Sequence, residues 1–380
     1  MQHYYFDHNA TTPVAPEVLE AMVSCLGQVY GNASSIHFFG QTAKQRMEAA
    51  RRQLAALIHA DPTEIVFTGG GTEADNMAVL GMVRPGGHVI TTAIEHPAVL
   101  APCGRWECDG LAMTRLPVGA SGIVNPDDVR RALTPQTALI SIMHANNELG
   151  TLQPIAEIAR MAREAGIPLH VDGVQALGKV PVDMEALGAD LYSMSAHKLY
   201  GPKGVGALYV RKGTRIAPLA LGGHHERDRR PGTENVPGIA AFGVAAELAG
   251  RSLAAESDRL AGLRDRLENT VLDRISGTGI NGARWNRTPN TSNIYFEGID
   301  GEALVIALDL RGFAVSTGAA CSSGAMAPSH VLTAIGCEPG RARASMRFSL
   351  GRSNTIEQVY ALVEALEASV AHLRRISVHA

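Results

Sequence analysis

From about residue 64 to residue 210 the chain alternates short apolar runs with stretches of helical period, and this limits its fold more than any other feature. EIVFT (64–68), HVITT (88–92), 111–116, ALISIMH (138–144), 168–171, 190–195 and 206–210 read as strands. Between them 72–83, 98–109, 126–133 and 155–165 read as helices. The last is amphipathic, with Ile155, Ile158, Ala159 and Ala162 on one face, and Asn125 stands where the third needs a cap. Strands alternating with helices predict an α/β fold, a mostly parallel seven-stranded sheet covered on both faces. Ligands of such sheets bind beyond the carboxyl ends of the strands.

After 210 the texture changes. Two helical stretches, 239–249 and 252–275, lead to strands at 291–296, 313–316 and 345–349 and helices at 301–310, 328–335 and 355–375. The expected division is a large α/β domain over 16–253 and a smaller α+β domain made of 1–15 and 254–380. The net charge of −3 offers no basis for a nucleic-acid partner. No apolar run approaches the roughly 18 residues of a membrane span. The opening MQHYYFDHNATT lacks the plan of a signal peptide, so the expected compartment is the cytoplasm. Five cysteines without a CxxC pair argue against a disulfide framework or a zinc site.

Lys198 lies in SMSAHKLYGPKGVGALYV, in the turn between two apolar strands. A single lysine there is most often a surface residue. Its company is informative. Asp172 closes the strand PLHVD, where a carboxylate faces the ligand crevice; alone it could equally cap a turn. Gln175 follows closely. Gly69–Thr72 joins a strand to a helix, so backbone N–H groups and the Thr72 hydroxyl can meet a phosphate. It is neither a dinucleotide nor a nucleoside-triphosphate motif. His96 follows HVITT and could stack on a flat ring, or could simply pack. Asn146, Asn147 and Glu148 follow ALISIMH. Together these strand ends offer a phosphate cradle, a stacking ring, amides, an acid beside a pyridine nitrogen and an amine. That is the order and chemistry of a pyridoxal 5'-phosphate (PLP) enzyme of the large dimeric aminotransferase fold.

The motifs also resemble a known family. YFDHNATTPVAPEVLEAM, GNASSIH (31–37), FTGGGTEADN (67–76), IEHPAV (94–99), MHANNELG (143–150), HVDGVQALGKV (170–180), SAHKLYGPKGVG (195–206), RPGTENV (230–236), STGAACSSG (316–324) and MRFSLGR (346–352) are similar to the cysteine desulfurases of the NifS/IscS type, in the class V aminotransferase superfamily. The resemblance implies that Lys198 holds the cofactor and that Gly71, Thr72, Ser195 and His197 bind its phosphate. It implies that Asp172 pairs with the ring nitrogen, that Gln175 and Asn147 lie near the ring oxygen and that His96 stacks on the ring. Arg347 would clamp the substrate carboxylate, assisted by Asn32 and Asn147. Thr233 would reach the phosphate of a neighbouring subunit, which implies a homodimer.

Cys321 sits among glycine, alanine and serine, a setting unlike a structural cysteine's. By resemblance it takes the sulfur of L-cysteine as a persulfide. Lys198 moves the α-proton, His96 shuttles a proton to or from the thiols, and L-alanine leaves. A small-residue loop could then carry the sulfur to an acceptor protein such as an iron–sulfur scaffold. No metal is expected, unless Cys321 shares a cluster with that scaffold. The spacing from 313 to 346 resembles the long-loop branch of the family. The ending SVHA, soon after the last helix, leans towards NifS. Other readings are selenocysteine lysis, sulfur supply for tRNA thiolation, and a silent scaffold, against which Lys198, Asp172 and Arg347 argue.

Overall fold

A computed structural model describes residues 2–107, 110–317 and 328–377. Cys321 lies outside the described residues. The chain opens with a short strand, β1 (Tyr4–Tyr5). Two helices absent from the sequence expectations follow, Pro16–Gln28 and Phe38–Leu57. The alternation then unfolds as β2 (Ile65–Thr68), β3 (His88–Thr92), β4 (Ala112–Leu116), β5 (Thr137–Met143), β6 (Leu169–Asp172), β7 (Leu191–Ser195) and β8 (Gly206–Val210). Each falls within about one residue of its expected bounds. They form one sheet in the order β2-β8-β7-β6-β5-β3-β4, in which only β8 runs against its neighbours.

Helices cover both faces, so the central strands are apolar along their length rather than alternating. Every residue of β3, β6, β7 and β8 is buried. Among the buried polar residues of these strands, His170 is satisfied from both sides. Its ring nitrogens lie 2.8 Å from Ser141 Oγ on β5 and 2.9 Å from Ser193 Oγ on β7.

The second half corrects one expectation. The two stretches at 239–249 and 252–275 are a single helix, Val236–Arg274, of 39 residues. Gly250 and Ser252 punctuate the sequence but do not break the helix, because packing on both sides holds it. Ile239, Phe242 and Ala249 belong to the core beneath the large sheet. Leu260, Leu263, Leu267 and Val271 belong to a separate core with Phe296, Phe348 and Leu366. By length and composition this helix would also pass as a membrane span, and half of its most apolar window is buried inside the protein. Ala- and Gly-rich turns produce that hydropathy without a continuous run of large apolar side chains.

The second core lies against an antiparallel sheet ordered β12-β10-β9, built from β9 (Thr278–Ile280), β10 (Thr291–Phe296) and β12 (Ser345–Ser349). The expected strand at 313–316 is shorter, β11 (Phe313–Ala314), and pairs in parallel with β1. Asp7 then bridges Ser349, so the amino-terminal segment lies beside the carboxyl-terminal sheet. Val331, Leu332 and Ile335 pack into the large core.

Candidate active site

The carboxyl ends of β2, β3, β5, β6 and β7 open on one cavity of about 530 Å³. Ten of the residues singled out in the sequence line it: Gly71, Thr72, His96, Asn147, Asp172, Gln175, Ser195, His197, Lys198 and Arg347. At one end is the Gly69–Thr72 turn and the start of the helix Gly71–Met82, whose first N–H groups have no helical partner. Space there is tight. A Cβ on Gly71 would stand 2.7 Å from Val174 Cγ2, and one on Gly206 would stand 2.6 Å from the Gly70 carbonyl carbon. The glycines keep the turn low and leave the donors of Thr72, Ser195 and His197 facing the same space. Burial first, and then the Lys198, Lys203 and Lys179 cations, push the His197 imidazolium down to about 4.

Asp172 ends β6 with its Oδ1 accepting from Val174 N at 3.0 Å. Burial pushes its carboxyl up to about 7, and the nearby Asp75 carboxylate adds to the rise. Asp75 is itself pushed up to about 7 by burial. The site therefore holds an acid that a cation would readily ionise. Lys198 Nζ donates to the carbonyls of Asn9 at 2.5 Å and Ala10 at 2.7 Å. Burial lowers its ammonium to about 8, and the Arg347 cation helps, while Asp7 and Asp172 oppose. A free amine is thus accessible near neutrality. His96 Nδ1 accepts from Ala98 N at 3.1 Å, and burial lowers its imidazolium.

Arg347, on β12, reaches into the cavity from the second sheet. Its Nη2 pairs with Asp7 Oδ1 at 2.7 Å and its Nη1 donates to the Asn147 carbonyl at 3.3 Å, while Nε has no partner among the described residues. Ser316, five positions before Cys321 in the sequence, also lines the cavity and bridges Arg347. Later in the sequence, His330 Nε2 lies 2.9 Å from the Glu95 carbonyl and Ser329 Oγ donates to Glu148 Oε2 at 2.6 Å.

The aminotransferase class V family model matches residues 4–362. A protein named cysteine desulfurase IscS from Dictyoglomus turgidum is 49% identical over 377 residues, spanning 98% of this chain and 96% of its own. This chain belongs to the class V aminotransferase family, among its cysteine desulfurases. Of solved structures, a NifS-like protein superposes with a TM-score of 0.92 at 36% identity, over 98% of this chain and 100% of that one. A structure titled SspA in complex with cysteine is 37% identical with a TM-score of 0.82, covering 91% of this chain and 98% of that one.

Two site residues named from the desulfurase motifs are not at the cavity of this chain. Asn32 is exposed and its side chain accepts from Ser34 N at 2.9 Å. Thr233 is exposed as well. Conversely, Asp7, Asn9, Ala10, Asp75, Val174 and Ser316 line the cavity without having been singled out. Asp7 and Asn9 belong to YFDHNATT, which matches the desulfurase pattern but carries no local chemical signature. Asp75 is the fifth residue of the helix Gly71–Met82, and its local sequence does not mark it as buried beside a cavity.

Proposed function

We propose that this chain is a PLP-dependent desulfurase that converts L-cysteine to L-alanine and receives the sulfur on Cys321 as a persulfide. The observation that carries the reading is the convergence, in one cavity, of the Lys198 amine, the Asp172 carboxyl and the Gly71–Thr72 helix start. The cradle that a Cβ at Gly71 would fill fits a phosphate, and the buried acid fits a pyridinium nitrogen. PLP, when bound, supplies an electron sink for a carbanion at the substrate α-carbon.

The chain's own residues supply the rest. Gly71, Thr72, Ser195 and His197 hold the phosphate. Asp172 keeps the ring nitrogen protonated, Gln175 and Asn147 face the ring oxygen, and His96 covers the ring. Lys198 Nζ anchors the cofactor and carries the α-proton, a task its lowered proton affinity suits. Arg347 binds the substrate carboxylate, exchanging part of its Asp7 pairing for it, with Asn147 beside it. His96 moves a proton to or from the thiols. Five residues span at most about 18 Å of extended chain, so Ser316 at the cavity supports Cys321 as the sulfur acceptor. The related SspA solved with cysteine supports the substrate.

The reading includes two domains divided near 253, a homodimer, a cytoplasmic setting and a protein acceptor such as an iron–sulfur scaffold. The dimer is supported by apolar side chains left exposed on the first two helices and their link, among them Val23, Leu26, Tyr30, Ile36 and Phe38. Asn32 lies on the same link, and Thr233 would serve the cofactor of the partner subunit. The test is to load the purified chain with PLP and supply L-cysteine. Wild-type protein should gain a visible absorbance band and release alanine. Lys198→Ala should lose the band, and Cys321→Ala should keep it while losing persulfide. A wild-type protein that stays colourless with PLP would sink the reading.

A further inference from the structure

A second amine borders the cavity and has no part in the chemistry above. Lys179 Nζ donates to Gln175 Oε1 at 2.6 Å and to Asn9 Oδ1 at 3.0 Å. Both acceptors are neutral amide oxygens. The charged groups around it are unfavourable. Burial, and then the Lys198 and Arg347 cations, push its ammonium well below the ordinary lysine value, and it in turn lowers the imidazoliums of His8 and His197. Neither contact offers the charge compensation that normally retains a lysine among cations.

The contacts suggest what it does. Gln175 Nε2 donates to the Asn9 carbonyl at 2.9 Å, the same carbonyl that accepts from Lys198. A primary amide has two N–H donors and one acceptor oxygen. With Oε1 accepting from Lys179 Nζ, and that Nζ held in place by its second contact to Asn9 Oδ1, the amide is oriented with its NH₂ away from Lys179. One Gln175 N–H remains for the cavity that this residue lines.

We propose that Lys179 is a positioning residue that locks the Gln175 amide as a donor towards the phenolic oxygen of bound PLP and, through that donor, keeps the oxygen ionised. This rests on the cofactor reading above. An ionised oxygen whose charge is already held by Gln175 offers less to the neighbouring nitrogen that joins Lys198 to the cofactor. That nitrogen should therefore release its proton at lower pH in the wild type than without Lys179.

The test is a pH titration of the visible absorbance of holoenzyme, without substrate. In Lys179→Met the spectral midpoint should rise by about one pH unit, the size a nearby charge imposes. Lys179→Arg, which keeps a cationic donor, should return it towards the wild-type value. In a Gln175→Ala background the Lys179→Met change should add little, because the amide it acts through is gone. A Lys179→Met midpoint equal to wild type overturns the proposal, and so does a full shift in the Gln175→Ala background. Should Lys179→Met not fold, Gln175→Glu tests the same idea: its carboxylate pairs with Lys179 and supplies no donor, so the midpoint should again rise, and an unchanged midpoint overturns the proposal. A wild-type protein with no visible band would instead remove the cofactor reading beneath it.

Discussion

Arg347 is 5% exposed, its guanidinium is paired with Asp7, and its Nε has no hydrogen-bond partner among the described residues. A substrate carboxylate would complete its donor set. Arg347→Ala should lower kcat/KM for L-cysteine roughly 10- to 100-fold, mostly through KM, since a charge-assisted contact contributes about 1.5–3 kcal/mol. Steady-state kinetics with cofactor in excess would check this, and an unchanged KM would take Arg347 out of the site. At this scale the sequence is readable wherever a functional side chain follows a strand. Asp172, His96, Asn147 and Lys198 each stand just past an apolar run, so position in the pattern implies position in the crevice. Asp7 and Asn9 stand past nothing that a period can mark. Their meaning comes from partners across the chain, as with Asp7 and Arg347, which are 340 positions apart.

Among elements, the helix Val236–Arg274 is where local signals and tertiary packing disagree. Glycine at 250 reads as punctuation, yet the helix runs through it. Two of its four glycines, Gly243 and Gly250, should respond oppositely to an added methyl group. At Gly250 a Cβ would meet only Leu57 Cδ1, at 3.5 Å. Gly250→Ala should therefore stabilise the protein by about 0.5–1 kcal/mol, as alanine does in a continuous helix. At Gly243 a Cβ would stand 2.5 Å from Ala50 Cα, on the helix Phe38–Leu57. Gly243→Ala should cost about 1–3 kcal/mol by forcing two helices apart. Urea midpoints of the two variants would show it. A loss of stability at Gly250 would mean that the helix ends there. The sheet was far more legible, because β2 to β8 are short, mostly apolar segments bounded by turns and separated by helical stretches. The first two helices and β9 have no such contrast with their surroundings, and packing rather than pattern defines them.

Across the whole molecule, burial sets a pH dependence of stability in the cofactor-free protein. Asp75 and Asp172 are raised to about 7 and Glu95 to about 8, all first by burial. Each holds its proton in the folded state after the unfolded chain has released it, so stability falls as pH rises through these values. His8, His144, His170 and His197 are lowered to about 4 from 6.5, which favours folding as pH rises to 6.5 and opposes the carboxylates there. Above 6.5 the histidine contribution ends, and the carboxylates act against Lys179 and Lys198, whose ammoniums burial lowers and whose contributions rise with pH. Removing one raised carboxylate should therefore change the slope: between pH 6.5 and 8 the melting temperature of cofactor-free Asp75→Asn should rise relative to that of the wild type. Calorimetry at several pH values would check it, and a slope equal to wild type in Asp75→Asn would remove Asp75 from the account.

The strap formed by the first residues also has a timetable. Tyr4 pairs with Phe313, and Asp7 binds Arg347. Asn9 holds both lysines of the cavity. A ribosome adds roughly 5–20 residues per second, so Asp7 is added about 20–70 seconds before its arginine exists. Once β8 has been made, the large sheet can form while its crevice still lacks one wall. The segment translated first is thus among the last to find its place, and a nascent chain stalled short of residue 347 would have most of the fold without a finished pocket.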